Sequence, residues 1–335
     1  MPSIRDVAKQ ARVSTATASR ALRGLPSVTA ETRARVERAA AELDYVIPFN
    51  ASSLASGRTN SVGIVVPFVS RWFFGTVIAG VEAVLREAGL DLVVYGVPDA
   101  SSRARFFAEM PVRRRVDAVL VLCLPLTGWE ADAIRALRVP VILVGSTAEG
   151  LSSVGIDDFA GATQAVRHLA GLGHRRIGLI GETDPPPHGF TTPGLRRHGY
   201  LHALAEAGIA PEPGLEADGG FTAAAGEAAM ERLLAQAAPP TAVFALSDEM
   251  AFGALRALRR TGTGVPADVS VIGFDDHELA AALDLSTIAQ PVFAQGERAA
   301  ELLLDQLRRQ APPSEVVFPT ELVPRGTTGP VSAGG

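Results

Sequence analysis

The sequence predicts an α + α/β fold in which a three-helix head precedes two doubly wound α/β subdomains. Residues 4–24 have the pattern of two short helices joined by a tight turn, and a third amphipathic helix follows at 30–43. From residue 61 onwards, short apolar runs alternate with amphipathic helical segments. Between the two regions lies a Ser-rich peptide at 48–60, which is too short and too polar to form a stable helix alone. We therefore expect a head at 1–47, a hinge at 48–60 and a body at 61–330.

The first two predicted helices have the form of a helix-turn-helix. Ser3 and Asp6 make a capping-box pattern at the start of the first helix. The second helix, residues 15–22, follows a tight turn in which Ser14 is placed as its N-cap. Small and polar residues alternate with the packing residues of this second helix, so it can enter a DNA major groove. On these residues alone, the alternative is a helical hairpin on a protein surface.

The charge of the chain is unevenly distributed along its 335 residues. The net charge is −5, but residues 1–60 carry nine basic and five acidic side chains, a net charge of +4. The remaining residues therefore carry a net charge of −9. A basic head on an acidic body suits a module that contacts phosphates and is attached to a domain with another task. The alternative is chance scatter of arginines.

The body shows the alternation of a parallel sheet covered on both faces, with 47% hydrophobic residues in the chain to fill its cores. Two such series indicate two subdomains with a ligand cleft between them. We expect the first subdomain at 61–150 with a crossing at 275–290, and the second at 151–274 with 291–330. The predicted strands are 62–67, 92–96, 118–122, 141–144, 154–156, 177–180, 242–245 and 270–273, with others near 286–291, 316–318 and 321–323.

Several separated motifs together resemble the LacI/GalR family of bacterial transcription regulators. They are IRDVAKQARVSTATASRALRG, TRARVERAAAELDY, HLAGLGHRRIGLIG, SVIGFDDHELAAALDLSTIAQP and ELVPRGTTG, in this order. The resemblance spans residues 3 to about 330 and implies a body of periplasmic-binding-protein type. It also implies a homodimer that binds a pseudo-palindromic DNA operator as a repressor of a carbohydrate-utilisation operon. A small sugar-like effector in the cleft would control the DNA affinity allosterically.

The resemblance assigns DNA-binding roles in the head and the hinge. In the family, the first, second and sixth residues of the recognition helix read bases; here these are Thr15, Ala16 and Arg20. An arginine can bind guanine O6 and N7 together, a contact worth about 1–3 kcal/mol of discrimination. The other predicted contacts are Ser14, Thr17 and Ser19 at phosphates or as caps, and Leu54, beside Ala51, as a wedge in the minor groove.

The resemblance also assigns effector-binding roles in the body. Arg196 matches an arginine that clamps the effector, and Asp275 matches a carboxylate that accepts its hydroxyls; alone, Arg196 could equally be a helix-surface ion pair. The other expected pocket residues are Phe73, Phe74, Thr192, Phe221, Ser247 and Gln290. Gly145 stands where sugar-binding members often have Asp, and Ser247 replaces a common Asn. Effector identity therefore stays open, and a purine or phosphosugar, or a corepressor, is the alternative to a neutral sugar.

The sequence gives no support to an enzyme. It lacks GxSxG, Walker A and HExxH motifs, and GLGHRR follows a helix instead of a strand. We expect no cofactor and no metal. Cys123 is predicted in a buried strand. It is the single cysteine, so no internal disulfide can form, and this favours a reducing cytoplasm. The absence of a leader, of a membrane span and of a C-terminal leucine heptad predicts a cytoplasmic, nucleoid-associated dimer. A cytoplasmic sugar-binding module is the alternative from outside the regulator class.

Overall fold

A computed structural model of the chain describes residues 2–22, 24–45, 58–182 and 189–331. The chain divides into a small unit that holds the three N-terminal helices and a larger α/β unit. We call these the head and the body. The hinge predicted at 48–60 falls largely outside the described residues.

The head is built from three short helices around a small apolar core. They are α1 (Ile4–Gln10), α2 (Thr15–Leu22) and α3 (Ala30–Glu42). The predicted capping box is confirmed, since the Ser3 backbone N–H and hydroxyl both donate to the Asp6 carboxylate at 2.8 and 2.7 Å. Thr29 caps the third helix by accepting from the Thr32 N–H. The core consists almost entirely of alanine and valine side chains, namely Val7, Ala8, Ala11, Ala18, Ala21, Val36, Ala39 and Ala40.

The first sheet of the body is parallel in each strand pair for which the register is defined. Its strands are β1 (Ser61–Val66), β2 (Asp91–Gly96), β3 (Ala118–Leu122), β4 (Val141–Val144), β5 (Ser152–Ile156) and β11 (Glu315–Phe318), in the spatial order β11-β5-β4-β3-β1-β2. Its helices are α4 (Trp72–Glu87), α5 (Ala100–Glu109), α6 (Gly128–Arg135) and α11 (Val292–Arg309). Strands β1 and β3 are buried along their whole length, as expected for a sheet covered on both faces.

The second sheet has the same plan with one antiparallel edge. Its strands are β6 (Ile177–Gly181), β7 (Glu216–Asp218), β8 (Ala242–Ala245), β9 (Ser270–Asp275), β10 (Ser286–Ala289) and β12 (Glu321–Val323), in the order β12-β10-β9-β8-β6-β7. Only the β10–β12 pair is antiparallel among the pairs with a defined register. Its helices are α7 (Asp158–Gly171), α8 (Thr192–Glu206), α9 (Ala223–Leu234) and α10 (Asp248–Thr261), with a single 3₁₀ turn at Pro213–Leu215.

The predicted split of the body, into 61–150 with 275–290 and 151–274 with 291–330, assigns several segments to the wrong subdomain. The strand at 152–156 and the segment 292–318 belong to the first subdomain, and the strand at 286–289 belongs to the second. The chain therefore crosses three times between the subdomains within the described residues, near 157, 290 and 320. The physical reason is that a short apolar strand carries no signal for the sheet it joins, because that choice depends on its pairing partners.

Glycines allow the covering helices to pack closely against each other. In the first subdomain, Gly80 of α4 lies against the Phe293 carbonyl of α11, and Gly296 of α11 lies against the Val77 carbonyl of α4. In the second, Gly253 of α10 lies directly against the Ala223 carbonyl of α9. A methyl group at any of these glycines would meet backbone. Each subdomain encloses its own apolar core.

Candidate functional site

The second helix of the head presents the predicted base-reading residues to the exterior. Thr15, Ala16 and Arg20 are exposed, whereas Thr17 and Ser19 are half-buried. The Ser14 hydroxyl accepts from the Thr17 backbone N–H at 3.0 Å and is hydrogen-bonded to the Thr17 hydroxyl at 2.8 Å. Ser14 is therefore the N-cap that the sequence predicts, and its hydroxyl is already engaged in holding the helix start.

Arg20 supplies the long cationic side chain on this exposed face of helix α2. Arg20 lies in the last turn of α2, where its charge also complements the carboxyl end of the helix dipole. Its five N–H donors can bind a guanine edge or a phosphate. The two remaining predicted DNA contacts, Ala51 and Leu54, lie outside the described residues.

A cavity in the body brings together all eight residues predicted to bind an effector. It lies between the subdomains and receives side chains from the carboxyl ends of both sheets, which is where ligands bind in open α/β folds. The predicted residues that line it are Phe73, Phe74, Thr192, Arg196, Phe221, Ser247, Asp275 and Gln290. Their roles as effector ligands stay a prediction.

Arg196 lies at the centre of the polar floor of this cavity and is 4% exposed. Its Nε donates to Asp158 Oδ1 at 2.7 Å, and one Nη lies 3.5 Å from Asp275 Oδ1. The same Nη donates to the Leu246 carbonyl, and the guanidinium carbon lies 3.5 Å above the centre of the Phe274 ring. The surface ion pair considered from the sequence is therefore wrong, because the guanidinium is buried and fixed from four directions.

Asp275 begins a chain of buried amide hydrogen bonds. Its Oδ1 accepts from Gln290 Nε2 at 2.6 Å, and Gln290 Oε1 accepts from Gln295 Nε2 at 2.9 Å. Burial raises the pKa of Asp275 to about 6, and Arg196 opposes that rise. Because Gln295 belongs to α11, this chain links the floor of the second subdomain to a helix of the first.

The sequence GIDDF contains two adjacent carboxylates with different tasks. Asp157 caps helix α7 by accepting from the Ala160 N–H at 2.9 Å, which is a structural task. Asp158 points into the cavity instead, where burial raises its pKa and the contact with Arg196 opposes the rise. Sequence reasoning missed Asp158 because helical position, not residue type, decides which of two neighbouring aspartates faces the cleft.

Asp276, beside the pocket aspartate, is also structural. Its carboxylate accepts from Arg325 at 2.7 Å, and Arg325 also donates to the Leu285 carbonyl. The segment LVPRGTT, which resembles a protease tag, is therefore an integral part of the body. Ser247 combines a place in the cavity lining with a structural task, since its hydroxyl caps helix α10 at the Met250 N–H.

Aromatic rings form the apolar part of the cavity wall. Phe73 and Phe74 contact each other edge to face with ring centroids 5.4 Å apart, and Phe74 is buried in the core of the first subdomain. Phe221 lies on the opposite subdomain with φ of +51°, a left-handed conformation that directs the chain sharply into helix α9. Rings of this kind provide flat apolar surfaces on which the ring of a ligand can stack.

The structure adds lining residues that the sequence did not identify. Besides Asp158, they include Arg71, Cys123, Phe190, Glu249 and Gln295. Cys123 is not in a strand as predicted; it follows strand β3, has φ of +49° and is half-buried. Burial raises the pKa of its thiol to about 12, so the thiol stays protonated. The signal for Cys123 is its position at the carboxyl end of a parallel strand, where pocket residues collect.

Gly145 takes the position where an aspartate is common in sugar-binding members. Its φ is +70°, and a Cβ atom there would lie 2.6 Å from Cys123 Sγ. The glycine therefore leaves room for the thiol, and an aspartate side chain at this position would need both a strained backbone and a displaced cysteine.

A helix-turn-helix unit followed by a two-subdomain body with a ligand-sized cleft is the plan of ligand-responsive DNA-binding regulators. Comparison with known families agrees with this class. Residues 3–47 match the bacterial regulatory proteins of the lacI family, and residues 166–328 match a periplasmic binding protein-like domain. Among the described residues, no helix combines the length and apolar character needed to cross a bilayer.

The chain belongs to the lacI family of bacterial transcriptional regulators. The HTH-type transcriptional repressor CytR of Escherichia coli strain K12 is 35% identical over 331 residues, which covers 97% of this chain and 96% of CytR. A structure of the transcriptional regulator CelR in complex with cellobiose is 32% identical with a TM-score of 0.72, covering 98% of this chain and all of CelR. The lac repressor dimer bound to operator and the anti-inducer ONPF is 28% identical with a TM-score of 0.85, covering 98% and 99%.

Proposed function

We propose that this regulator is a dimeric repressor that binds a pseudo-palindromic operator and is controlled by a small sugar-like effector in the cleft. The head at 1–47 would read the operator, the hinge at 48–60 would contact its minor groove, and the body at 61–330 would bind the effector and the second subunit. A sugar is the effector of one related structure, since CelR is described with cellobiose. The protein would act in the bacterial cytoplasm, bound to DNA.

The observation that carries this proposal is the polar floor formed by Arg196 between Asp158 and Asp275. An arginine donates to ring or hydroxyl oxygens, and two carboxylates accept from hydroxyl groups, so the three side chains suit neighbouring hydroxyls of a sugar. The rings of Phe73 and Phe221 supply apolar surface beside it. Arg196 would act as the clamp, and Asp275 as the acceptor that Gln290 orients.

The charge of the cavity favours a neutral effector over a phosphosugar. Three buried or half-buried carboxylates line it, Asp158, Asp275 and Glu249, against the two guanidinium groups of Arg71 and Arg196. Both floor carboxylates already contact the same arginine, so a phosphate placed there would lie beside negative charge. A purine stays the alternative, because aromatic faces and an amide–carboxylate pair also suit a planar base.

The proposed control is a coupling between two binding sites. Closure of the cleft around the effector would move the first subdomains of the dimer and separate the hinge segments around Leu54. The effector then weakens operator binding, and the operator weakens effector binding, by the same factor. A corepressor, which strengthens operator binding, would use the same parts with the opposite sign.

The first experiment is selection of random-sequence DNA duplexes with the full-length protein. The enriched duplex is then titrated with and without a panel of neutral sugars, purines and phosphosugars. Enrichment of a palindrome, followed by loss of binding with one neutral sugar, is the expected result. A response to a purine or phosphosugar alone would replace the effector class while keeping the regulator, and failure to enrich any DNA would refute the proposal.

A further inference from the structure

One loop of the first subdomain, residues 68–72, reaches across the cleft to the second subdomain. It follows strand β1 and runs into helix α4, whose first residue is Trp72. The Trp72 indole lies on the His277 imidazole, with ring centroids 4.6 Å apart and the planes tilted by 32°. At the other end of the loop, the Phe68 ring meets the Phe190 ring edge to face at 6.1 Å. Two aromatic contacts between the subdomains therefore come from five consecutive residues.

The same loop also carries a charge that faces the second subdomain. Arg71 lines the cavity, and its guanidinium lies 3.9 Å above the centre of the Phe68 ring. Burial lowers its pKa, whereas the carboxylates of Glu249 and Glu182 raise it. Both carboxylates belong to the second subdomain, on α10 and directly after β6. The attraction between Arg71 and these groups therefore acts in the direction of closure.

His277 is held rigidly by its own subdomain, so its ring is a fixed surface for the indole. Its backbone N–H donates to the buried Asp248 carboxylate at 2.7 Å, and its Nδ1 accepts from the Leu279 N–H at 3.0 Å. The Phe252 ring packs perpendicular to the imidazole at 5.2 Å. These contacts leave one face of the imidazole for Trp72. A change in the angle between the subdomains must therefore separate the two rings.

We propose that the 68–72 loop is a latch that holds the cleft closed, with the Trp72–His277 contact at its centre. The inference rests on the proposed function only in that closure is taken to favour effector binding. The two subdomains have separate apolar cores, so their relative position depends on cross-cleft contacts of this kind and on the three chain crossings. The latch sets the population of the closed body before any effector arrives.

Loss of the latch has a defined consequence for both ligands. When the body opens more readily, a smaller fraction of the molecules is closed. The apparent effector Kd then rises in inverse proportion to that closed fraction. Operator affinity must then change in the direction opposite to the effect of the effector. For the loss of one aromatic contact, a change of about threefold to tenfold is expected.

Trp72 makes the latch directly observable. The chain has two tryptophans, so Trp129→Phe leaves Trp72 as the only indole. In this background, acrylamide quenching of Trp72 is compared between His277 and His277→Ala in the absence of ligand. We expect the quenching constant to rise by about twofold or more when the imidazole is removed. An unchanged constant would overturn the latch. Leu279→Ala is the matched control, because Leu279 is an exposed residue two positions after His277. It should leave the quenching constant unchanged.

A second measurement separates a latch from a simple packing contact. Operator affinity is measured for His277→Ala and for the milder His277→Gln, with the selected duplex and with unchanged far-UV circular dichroism as the folding criterion. A shift of about threefold or more in either variant, in the direction opposite to the effect of the effector, supports the latch, and a shift in the same direction would overturn it. Increased quenching with unchanged operator affinity in both would overturn its regulatory role. Failure of the wild-type head to bind DNA at all would instead refute the proposed function, while the quenching result would still stand.

Discussion

Replacing Asp275 by Asn is expected to stabilise the folded protein at neutral pH and to abolish its response to effector. Burial raises the pKa of this carboxyl from 3.8 to about 6, so keeping it ionised in the folded state costs about 3 kcal/mol above that pKa. An asparagine resembles the neutral acid and can still accept from Gln290 through its carbonyl oxygen. Arg196 would keep its contact with Asp158. The residue with the largest assigned role in hydroxyl recognition is therefore also one that destabilises the fold.

The raised pKa of Asp275 also determines how the folding stability depends on pH. Because the pKa is higher in the folded than in the unfolded chain, the folded protein binds more protons between about pH 4 and pH 6. This carboxyl therefore lowers the stability of the wild-type protein as the pH rises through that window. The advantage of Asp275→Asn should be about 3 kcal/mol near pH 8 and less than about 1 kcal/mol near pH 4.

Urea unfolding of both proteins near pH 8 and near pH 4 measures this difference. Asp132→Asn is the control, since Asp132 is an exposed carboxylate whose pairing with Arg135 contributes little. If Asp275→Asn were less stable than the wild type near pH 8, the attraction of Arg196 would outweigh the cost of burial, and the reasoning would be refuted. Effector binding is followed in parallel by calorimetry with the sugar identified in the operator assay.

Three further changes test other parts of the molecule. Arg20→Ala should reduce specific operator binding by about 1–3 kcal/mol and leave effector binding intact, as measured by fluorescence anisotropy and calorimetry. Arg196→Met should abolish the effector response and destabilise the body by about 3–5 kcal/mol in urea unfolding, because two buried carboxylates lose their partner. Gly253→Ala should destabilise the body by more than about 3 kcal/mol, because the new methyl group would meet the backbone of helix α9.

Two of these changes have a matched control, and all three have a contradicting result. Arg86→Ala removes an exposed arginine of the body and should leave operator binding unchanged; equal losses for Arg20→Ala and Arg86→Ala would mean that only overall charge matters. A wild-type effector response in Arg196→Met would move the binding site away from the cavity floor. Gly128→Ala places a methyl group in open space, so equal melting temperatures for the Gly128 and Gly253 variants would contradict the packing argument.

Periodicity and capping predict the elements of this fold well but not their assembly. The strands at 118–122, 141–144 and 242–245 have the predicted bounds, because continuous apolar runs leave few alternatives. The short strand Glu216–Asp218 has no apolar run and was not predicted. Crossings between the subdomains were predicted, but 275–290 was assigned to the first subdomain and 291–330 to the second, whereas strand 286–289 lies in the second sheet and strand 315–318 in the first. This assignment depends on which strands pair over long distances.

The cleft shows the same limit at the level of single residues. The family resemblance located Arg196 and Asp275, and the structure places both on the cavity floor. It did not reveal that Asp158 shares Arg196, or that Trp72 faces His277. Both pairs are brought together by the relative position of helices and subdomains, which no local pattern encodes.

The three crossings have a consequence for biosynthesis. The first sheet lacks one of its two edge strands until Glu315–Phe318 has been made, and the second lacks one of its two until Glu321–Val323 follows. Neither half of the body can therefore be completed early on the ribosome, although the three head helices emerge first. The cleft assembles as a unit when the last segment of the chain is added. A stop codon before residue 315 would remove an edge strand from both subdomains at once, so it should yield no ligand-binding half.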